Sequence, residues 1–345
     1  MQENTRILFN DFLDRQAELN SIADPSTKFN VDPSIQQKLI DKRQESSDFL
    51  SRINILPVSE MKGALLGLGI GGPLVSNTDT SGSGTRKTVS PSNMDEVFYE
   101  CVQNNSDTHI RYALLDAWAK FPDFQTRIQN QITKRQALDN ILVGFNGTSA
   151  AATSNPVTNP DRSDVNIGWL QKMRNDKPAH VMDEGTAVAG KLTYGPGGDY
   201  ATLDALVYDA INGVLPSWAR GDTELVVMTS HDLLNDKYFP LINEDRDPSE
   251  QLARDIIMSS KRLGGKQAAD VPFMPQGTIF ITRYDNLSIY EQEGKRRRHI
   301  KDVPESDRIE DYQSSNDAYV VEDYDFALLI ENIEFAEAPA GGGGG

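Results

Sequence analysis

From its N-terminus the chain reads first as an amphipathic helix over about residues 5–22, with Leu8, Phe12, Leu19 and Ile22 on one stripe. Phe9 and Leu13 widen the stripe, and Asp11, Asp14, Arg15 and Glu18 lie opposite. Asp24-Pro25 ends it, because proline disfavours helical geometry in the residue before it. Asp32-Pro33 then supplies an N-cap followed by proline at the first helical position, opening a second helix through about Gln44. No apolar segment adjoins either helix, so both are expected to form an arm that contributes little to the core of its own subunit. The Pro-broken linker between Ala23 and Asp32 is the expected first site of proteolysis.

The pattern changes at Pro57. Residues 58–75 and 97–112 contain strand-like pieces, separated by a polar stretch over 76–91. Loops this long are unusual inside compact domains, so a β-hairpin projecting from the body is expected. The strongest helical signal follows over 122–145, where Phe124, Ile128, Ile132, Leu138, Ile141, Leu142 and Phe145 make an apolar face against Gln125, Arg127, Asn130, Lys134 and Arg135. At ~1.5 Å per residue that is a rod of roughly 36 Å, ended by Gly144 and Gly147. Ile128, Ile132, Leu138 and Leu142 are expected to be buried along it.

Beyond a Ser/Asn/Pro-rich connection (147–163), helical patterns at about 166–175, 202–215, 231–239 and 249–261 surround one buried strand over 224–229. From Thr278 the chain turns to strands, at 279–283, 287–292, 296–303, 317–321 and 326–335, and it ends in five glycines, a flexible tail. The class is α+β.

Composition narrows the function. The 345 residues leave room for roughly two domains, and no apolar run approaches the ~20 residues of a membrane span. The N-terminus has no signal-peptide pattern, so the chain is expected to stay in the cytoplasm where it is made. Cys101 is the only cysteine, which excludes an intramolecular disulfide and a Cys-based metal centre within one chain. It is expected to be a buried, unreactive thiol. The net charge is −17, and residues 300–337 hold twelve acidic side chains against Lys301 and Arg308. A protein that condenses nucleic acid needs the opposite balance.

Several motifs fail on their surroundings. Gly67, Gly69 and Gly72 satisfy G-x-G-x-x-G, but Pro73 and a polar run follow where a phosphate-holding helix must start. Ser230-His231-Asp232 puts three triad residue types side by side, where they cannot face one another; Thr229 and Asp232 read better as a helix cap. Gly264-Gly265-Lys266 continues with Gln267 instead of the Ser/Thr of a phosphate loop, and Glu244-Asp245-Arg246-Asp247 lacks a calcium loop's glycine. Both read as surface turns. The basic run Lys295-Arg296-Arg297-Arg298-His299 reads as a solvated or interface strand edge. The four histidines show no metal-ligand spacing, so no cofactor, metal or catalytic residue is expected.

One family orders its parts this way. The segments are Phe9-Asn-Asp-Phe-Leu-Asp-Arg-Gln-Ala-Glu-Leu-Asn20, Glu45-Ser-Ser-Asp-Phe-Leu-Ser-Arg-Ile-Asn-Ile55, Pro57-Val-Ser-Glu-Met-Lys-Gly63 and Ile110-Arg-Tyr112. They continue with Asp123-Phe-Gln-Thr-Arg-Ile128, Lys134-Arg-Gln-Ala-Leu-Asp139, Gly144-Phe-Asn-Gly147 and Gly168-Trp-Leu-Gln-Lys172. Gly198-Asp-Tyr-Ala-Thr-Leu-Asp-Ala-Leu206, Asp236-Lys-Tyr-Phe-Pro240, Asn286-Leu-Ser-Ile-Tyr290 and Tyr319-Val-Val-Glu-Asp-Tyr324 complete the set. In number and order they resemble the major capsid proteins of tailed phages with the Hong Kong 97 fold, in the Peduovirus-like branch.

The resemblance implies a structural subunit without catalytic activity that self-assembles, as pentamers and hexamers, into the icosahedral head shell around double-stranded DNA. It implies an N-terminal arm (1–57) that acts as a built-in scaffold, an extended loop (58–108), and a peripheral domain (109–168 and 292–337) carrying the spine helix. An axial domain (169–291) and a tail (338–345) complete the chain. Implied partners are a scaffold or protease, a portal and a decoration protein, with no membrane and no sequence-specific DNA contact. Lys62 and Lys87 are available for an inter-subunit cross-link, although no specific signal for one is present. Because the extended loop of this fold crosses a neighbour, Arg86 and Lys87 at the loop tip are expected to meet Glu322, Asp323 and Asp325 of an adjacent copy. An encapsulin-like compartment and a nucleotide-binding oxidoreductase resting on Gly67–Gly72 are the competing readings.

Overall fold

The computed structural model describes residues 1–65, 75, 77–81, 85–86, 88, 97–119, 121, 124–243 and 261–337. Two sheets organise it. In the six-stranded sheet the strands run Arg262–Leu263, Lys266–Asp270, Val226–Thr229, Ile279–Thr282, Leu328–Ile330 and Val181–Met182, with mixed directions. Its central strands are apolar on both faces, and that is why they read as runs and not as alternations. Val226, Met228, Phe280 and Leu329 point into one core, and Val227, Ile279, Ile281, Leu328 and Ile330 into another. Leu203–Val214 covers the second face, with Leu206 and Val207 fully buried, and Thr202 caps that helix by accepting from the Ala205 N–H.

The Gly264-Gly265 pair joins the two outermost strands of one edge in a tight turn. Both residues have positive φ, 55° and 84°, the geometry a two-residue hairpin loop demands. The phosphate-loop resemblance there is thus a turn requirement.

The seven-stranded sheet is built on Arg308–Val321, a 14-residue strand. Its first half pairs with Arg297–Val303 on one side and with Thr108–Arg111 on the other, where Val102–Asn105 continues the edge along Ser314–Asp317. Its second half pairs with Leu287–Gln292, which runs parallel to Asn54–Val58, and Phe29–Asn30 extends the opposite edge. The sequence marks only the last five residues of the long strand. The rest is Asp-, Ser- and Asn-rich, and cross-strand pairing on both sides overrides its weak strand propensity.

The long helix spans Phe124–Asn146, while residues 122–123 lie outside the described residues. Its buried side chains differ from the expected stripe. Leu142 is buried, but Ile128, Ile132 and Leu138 are only partly so. Full burial instead concentrates at the C-terminal end, at Ala137, Ile141, Val143 and Phe145, where the helix meets Trp169–Asp176 and the first core. Gly144 allows that contact: a Cβ there would lie 2.2 Å from the Trp169 ring.

The first two helices, Glu3–Asn20 and Pro33–Glu45, sit close to their expected bounds, and Asp32 caps the second through the Ser34 N–H at 2.8 Å. The expectation that they add little to the core does not hold. Ile40 is 1% exposed within the first core, next to Phe49, Leu50 and Ile53, and Phe9 packs against Tyr112, Leu115, Ile300 and Ile309. Sequence adjacency gave no hint of the first helix's partners, which lie about 100 to 300 positions away, whereas Phe49, Leu50 and Ile53 follow the second helix closely. On the first helix the buried line runs Thr5, Phe9, Gln16, and Leu19 is 44% exposed.

Candidate functional site

The extended hairpin begins at the paired strands Lys62–Leu65 and Val97–Glu100. Cys101 at its root is 1% exposed, and burial, with Asp317 nearby, pushes its thiol up to about 12. It is therefore a packing residue. The root lies on the sheet face away from the long helix, where Tyr99 meets Tyr290 edge-on at 5.0 Å. Leu56, Met61 and Phe98 stay exposed around it, at 44%, 50% and 52%.

Beneath the sheet the chain buries charge. Glu291, 1% exposed, forms ion pairs with Arg43 and with Arg296, the latter at 3.2 Å, and accepts from Gln36 Nε2 at 3.0 Å. Arg296 also reaches Gln313, which bonds Gln136 of the long helix at 3.2 Å. Asp317 accepts from Ser315 Oγ at 2.8 Å and Asn104 Nδ2 at 3.2 Å, and its backbone carbonyl accepts from Asn166. Burial alone would raise the Glu291 carboxyl, but the two guanidiniums outweigh it and hold it below the usual range. Among the described residues no cation lies within ion-pair distance of Asp317, and Arg43 acts on it only from farther away. Burial and the Glu291 charge push it up to about 6. This cluster ties the second helix, the hairpin root, the long helix and the C-terminal strands into one unit. Sequence reasoning missed it, and its one signal was a glutamate directly after Ile289-Tyr290 in the strand Leu287–Gln292, whose residues are all buried.

The basic run 295–299 splits accordingly. Arg296 is buried in the cluster, which corrects the expectation of a wholly solvated or interface edge. Arg298 makes a two-pronged pair with Asp311 at 3.0 and 2.8 Å. Strand alternation sends Arg297 and His299 to the opposite face.

The expected contact residues are placed as follows. Arg86 is exposed, and Lys87 lies outside the described residues. Glu322 accepts from the Tyr290 hydroxyl at 2.9 Å, Asp323 caps a short turn through the Asp325 N–H at 2.8 Å, and Asp325 pairs with Lys177 at 3.0 Å. The carboxylates thus cluster, each with an intrachain hydrogen-bond or ion-pair partner. Lys62 pairs with Glu100 at 2.8 Å.

The hydrolase-like trio does not converge. Ser230 Oγ is buried and has no hydrogen-bond partner among the described residues, while the exposed His231 faces Asp270 through Nδ1 at 2.7 Å. Asp232 lies in the first turn of the helix His231–Asn243 and accepts from the Gly277 N–H at 3.1 Å. The glycines at 67–72 and the acidic run at 244–247 lie outside the described residues. Among the described residues no helix is long and apolar enough to cross a membrane, and no group of His, Cys, Asp or Glu is arranged to hold a metal.

Comparison with known proteins decides what these surfaces serve. The sequence profile of the phage major capsid protein, P2 family, matches residues 8–333. The chain belongs to that family. It is 49% identical to the capsid proteins of Escherichia phage P2 over 344 residues, covering 98% of this chain and 96% of the relative. It is 40% identical to the major capsid protein of Serratia phage KSP20, covering 99% of this chain and all of the relative. The fold superposes on a subunit of the satellite phage P4 procapsid, solved including the size determination (Sid) protein, with a TM-score of 0.82 at 45% identity, covering 98% and 99% of the two chains. The capsid subunit of an empty GTA particle shares the fold alone, with a TM-score of 0.51 at 16% identity over 84% of this chain and 90% of that one. The protein is thus a structural subunit of the icosahedral head shell of a tailed phage, its place is the virion, and neither the compartment nor the oxidoreductase reading survives.

Proposed function

We propose that the subunit assembles as pentamers and hexamers into a shell that encloses double-stranded DNA without reading its sequence. The observation that carries this reading is the near-complete likeness to a procapsid subunit, helped by a hairpin root around which Leu56, Met61 and Phe98 stay in solvent until a neighbour covers them. A closed shell repeats a few interfaces, and a projecting hairpin buries area on a neighbour that a compact domain cannot reach. The division proposed is an arm over 1–57, an extended loop over 58–108, a peripheral domain over 109–168 with 292–337, an axial domain over 169–291 and a tail over 338–345.

The arm acts as a built-in scaffold. Its first helix is pinned by polar contacts, Arg6 to Asp302 and Arg298 to Gln16, above a cavity of about 150 Å³ lined by Phe9, Phe12, Ile128 and Ile132. Loose apolar packing makes such an element removable. A protease, a portal and a decoration protein complete the particle, and cleavage of the arm falls between Ala23 and Asp32, which removes its first helix.

Electron microscopy of the expressed full chain tests the proposal. Shells whose reconstruction shows five- and six-fold capsomers support it, and discrete small oligomers overturn it. Limited proteolysis of unassembled subunit is expected to cut first between Ala23 and Asp32; first cuts at 224–243 would remove the arm from the scheme.

A further inference from the structure

One half of the seven-stranded sheet is covered on both faces, and the other half is not. Register defines the open part. Arg297, His299 and Lys301 alternate outward along one strand, opposite Ser314, Tyr312 and Glu310, with Asn105 and His109 continuing the same rows. Their inward neighbours Arg298 and Ile300 face the first helix instead. Outward side chains two residues apart on a strand stand ~6.6 Å from each other, so the three basic side chains form a ladder. Lys28 borders the depression beside them, about 440 Å³ in volume.

The charge of this patch opposes that of the chain. Glu310 is occupied by Arg308 at 2.6 Å and by the Tyr312 hydroxyl at 2.5 Å, and Lys301 acts on it only at longer range. Among the described residues, Lys28, Arg297 and Lys301 have no carboxylate within ion-pair distance. Three cations without an ion-pair partner among the described residues and two histidines thus share one face of a protein with net charge −17, against Asp107 on the rim of the depression, which accepts from the Gln313 N–H. A positive patch on an anionic particle focuses a local field and steers an anionic partner.

We infer that the open end of this sheet face, centred on Arg297, His299 and Lys301, seats a second copy of the chain, which presents carboxylates to it. The chemistry fits that occupant on three counts. Self-assembly makes another copy the unavoidable neighbour, and every copy carries the excess of carboxylates. Protein already covers the adjoining part of the same face, where the hairpin root lies on Tyr290. Tyr312, 41% exposed and stacked on His299 at 5.8 Å, adds the amphipathic ring favoured at protein interfaces. The inference rests on self-assembly alone and stands whether or not the capsomers are pentamers and hexamers.

Zero-length cross-linking of shells assembled from mixed light and ¹⁵N-labelled full chain tests it directly. A carbodiimide joins a lysine Nζ to a carboxylate as an amide, with loss of water and conversion of the reagent to its urea. Peptides linking Lys301 or Lys28 to an acidic peptide of the other isotope are expected. Same-isotope links only, or none at these lysines, overturn the inference. A second arm uses Arg297→Glu with Lys301→Glu, with the thermal unfolding of unassembled subunit as the control for folding. At about 50 mM salt the initial assembly rate is expected to fall about tenfold, the gap narrowing as salt screens the field. Arg297→Lys with Lys301→Arg is expected to restore it. Should the double reversal assemble at the parental rate while losing binding to a short DNA duplex, the face is a phosphate surface and the inference fails.

Discussion

The two sheets solve the same problem in opposite ways. The six-stranded sheet buries apolar side chains on both faces, so its stability is complete within one chain. The seven-stranded sheet places Glu291, Arg43, Arg296 and Asp317 under one face and leaves part of the other open and basic. Apolar packing is non-directional and tolerates small shifts, whereas a buried ion cluster is satisfied in one arrangement only. The first sheet is a self-sufficient block. The second is a joint, fixing the angles of the hairpin, the second helix and the long helix while keeping a surface for neighbours.

The largest effects should expose that contrast. Glu291→Ala leaves two buried guanidiniums without their carboxylate and is expected to cost ~3–5 kcal/mol. Phe280→Ala in the six-stranded sheet is expected to cost a similar ~3–5 kcal/mol through cavity formation. Rescue separates them. Replacing Arg43, Glu291 and Arg296 together by Met, Leu and Met removes the unpaired charge and should recover most of the loss, since apolar isosteres often match a buried ion cluster. Chemical denaturation of unassembled subunit measures all three variants. If Glu291→Ala costs under ~1 kcal/mol, the cluster holds nothing together.

A smaller effect depends on pH. Asp317 is pushed up to about 6, so the folded chain keeps its proton where the unfolded chain has lost it. Between about pH 4 and 6 the native state binds more protons, and stability from this group falls as pH rises. Glu291 has the opposite sign: held below its usual range, it contributes stability above that range and loses it as pH falls through the depressed value. Asp317→Asn removes the first effect and leaves in place the Arg43 and Arg296 pairs that produce the second. Relative to the parent, the variant is expected to gain roughly 1–3 kcal/mol on going from pH 4 to pH 7. Equal differences at both pH values would show that Asp317 does not titrate in this window.

The sequence revealed the two sheets unequally, for the same physical reason. Runs such as Val226–Met228 and Leu328–Ile330 in the six-stranded sheet announce themselves, because a strand buried on both faces takes apolar residues at successive positions. The helix caps at Asp32 and Thr202 are local hydrogen bonds and belong to short stretches of sequence. What stayed hidden was made by distant pairing. Arg43 and Glu291 lie 248 positions apart, and Arg296 looked like one more member of a basic run. The first half of Arg308–Val321 is polar, and only its neighbours on both sides make it a strand. The open basic face was visible as composition but not as geometry, since alternation separates Arg297 and His299 from Arg296 and Arg298 only once the strand is known.

The smallest expected effect concerns the tip of the hairpin. Arg86 is exposed, and with Lys87 it forms the only positive charge in the polar stretch 76–91. The acidic group proposed to receive it is not uniformly available. Asp325 already pairs with Lys177, and Asp323 is engaged as a cap, whereas among the described residues Glu322 accepts only from the neutral Tyr290 hydroxyl. A basic tip arriving from a neighbour therefore gains most at Glu322. Each exposed ion pair is worth only ~0–1 kcal/mol, so reversing both charges with Arg86→Glu and Lys87→Glu should slow assembly by about two- to fivefold at low salt. Glu322→Gln should reproduce most of that slowing, and adding it to the reversed tip should slow assembly little further, because both changes remove one contact. Additive slowing would place the tip and Glu322 in separate contacts. Unchanged rates for the reversed tip at low ionic strength would leave the basic sheet face as the principal electrostatic handle between subunits.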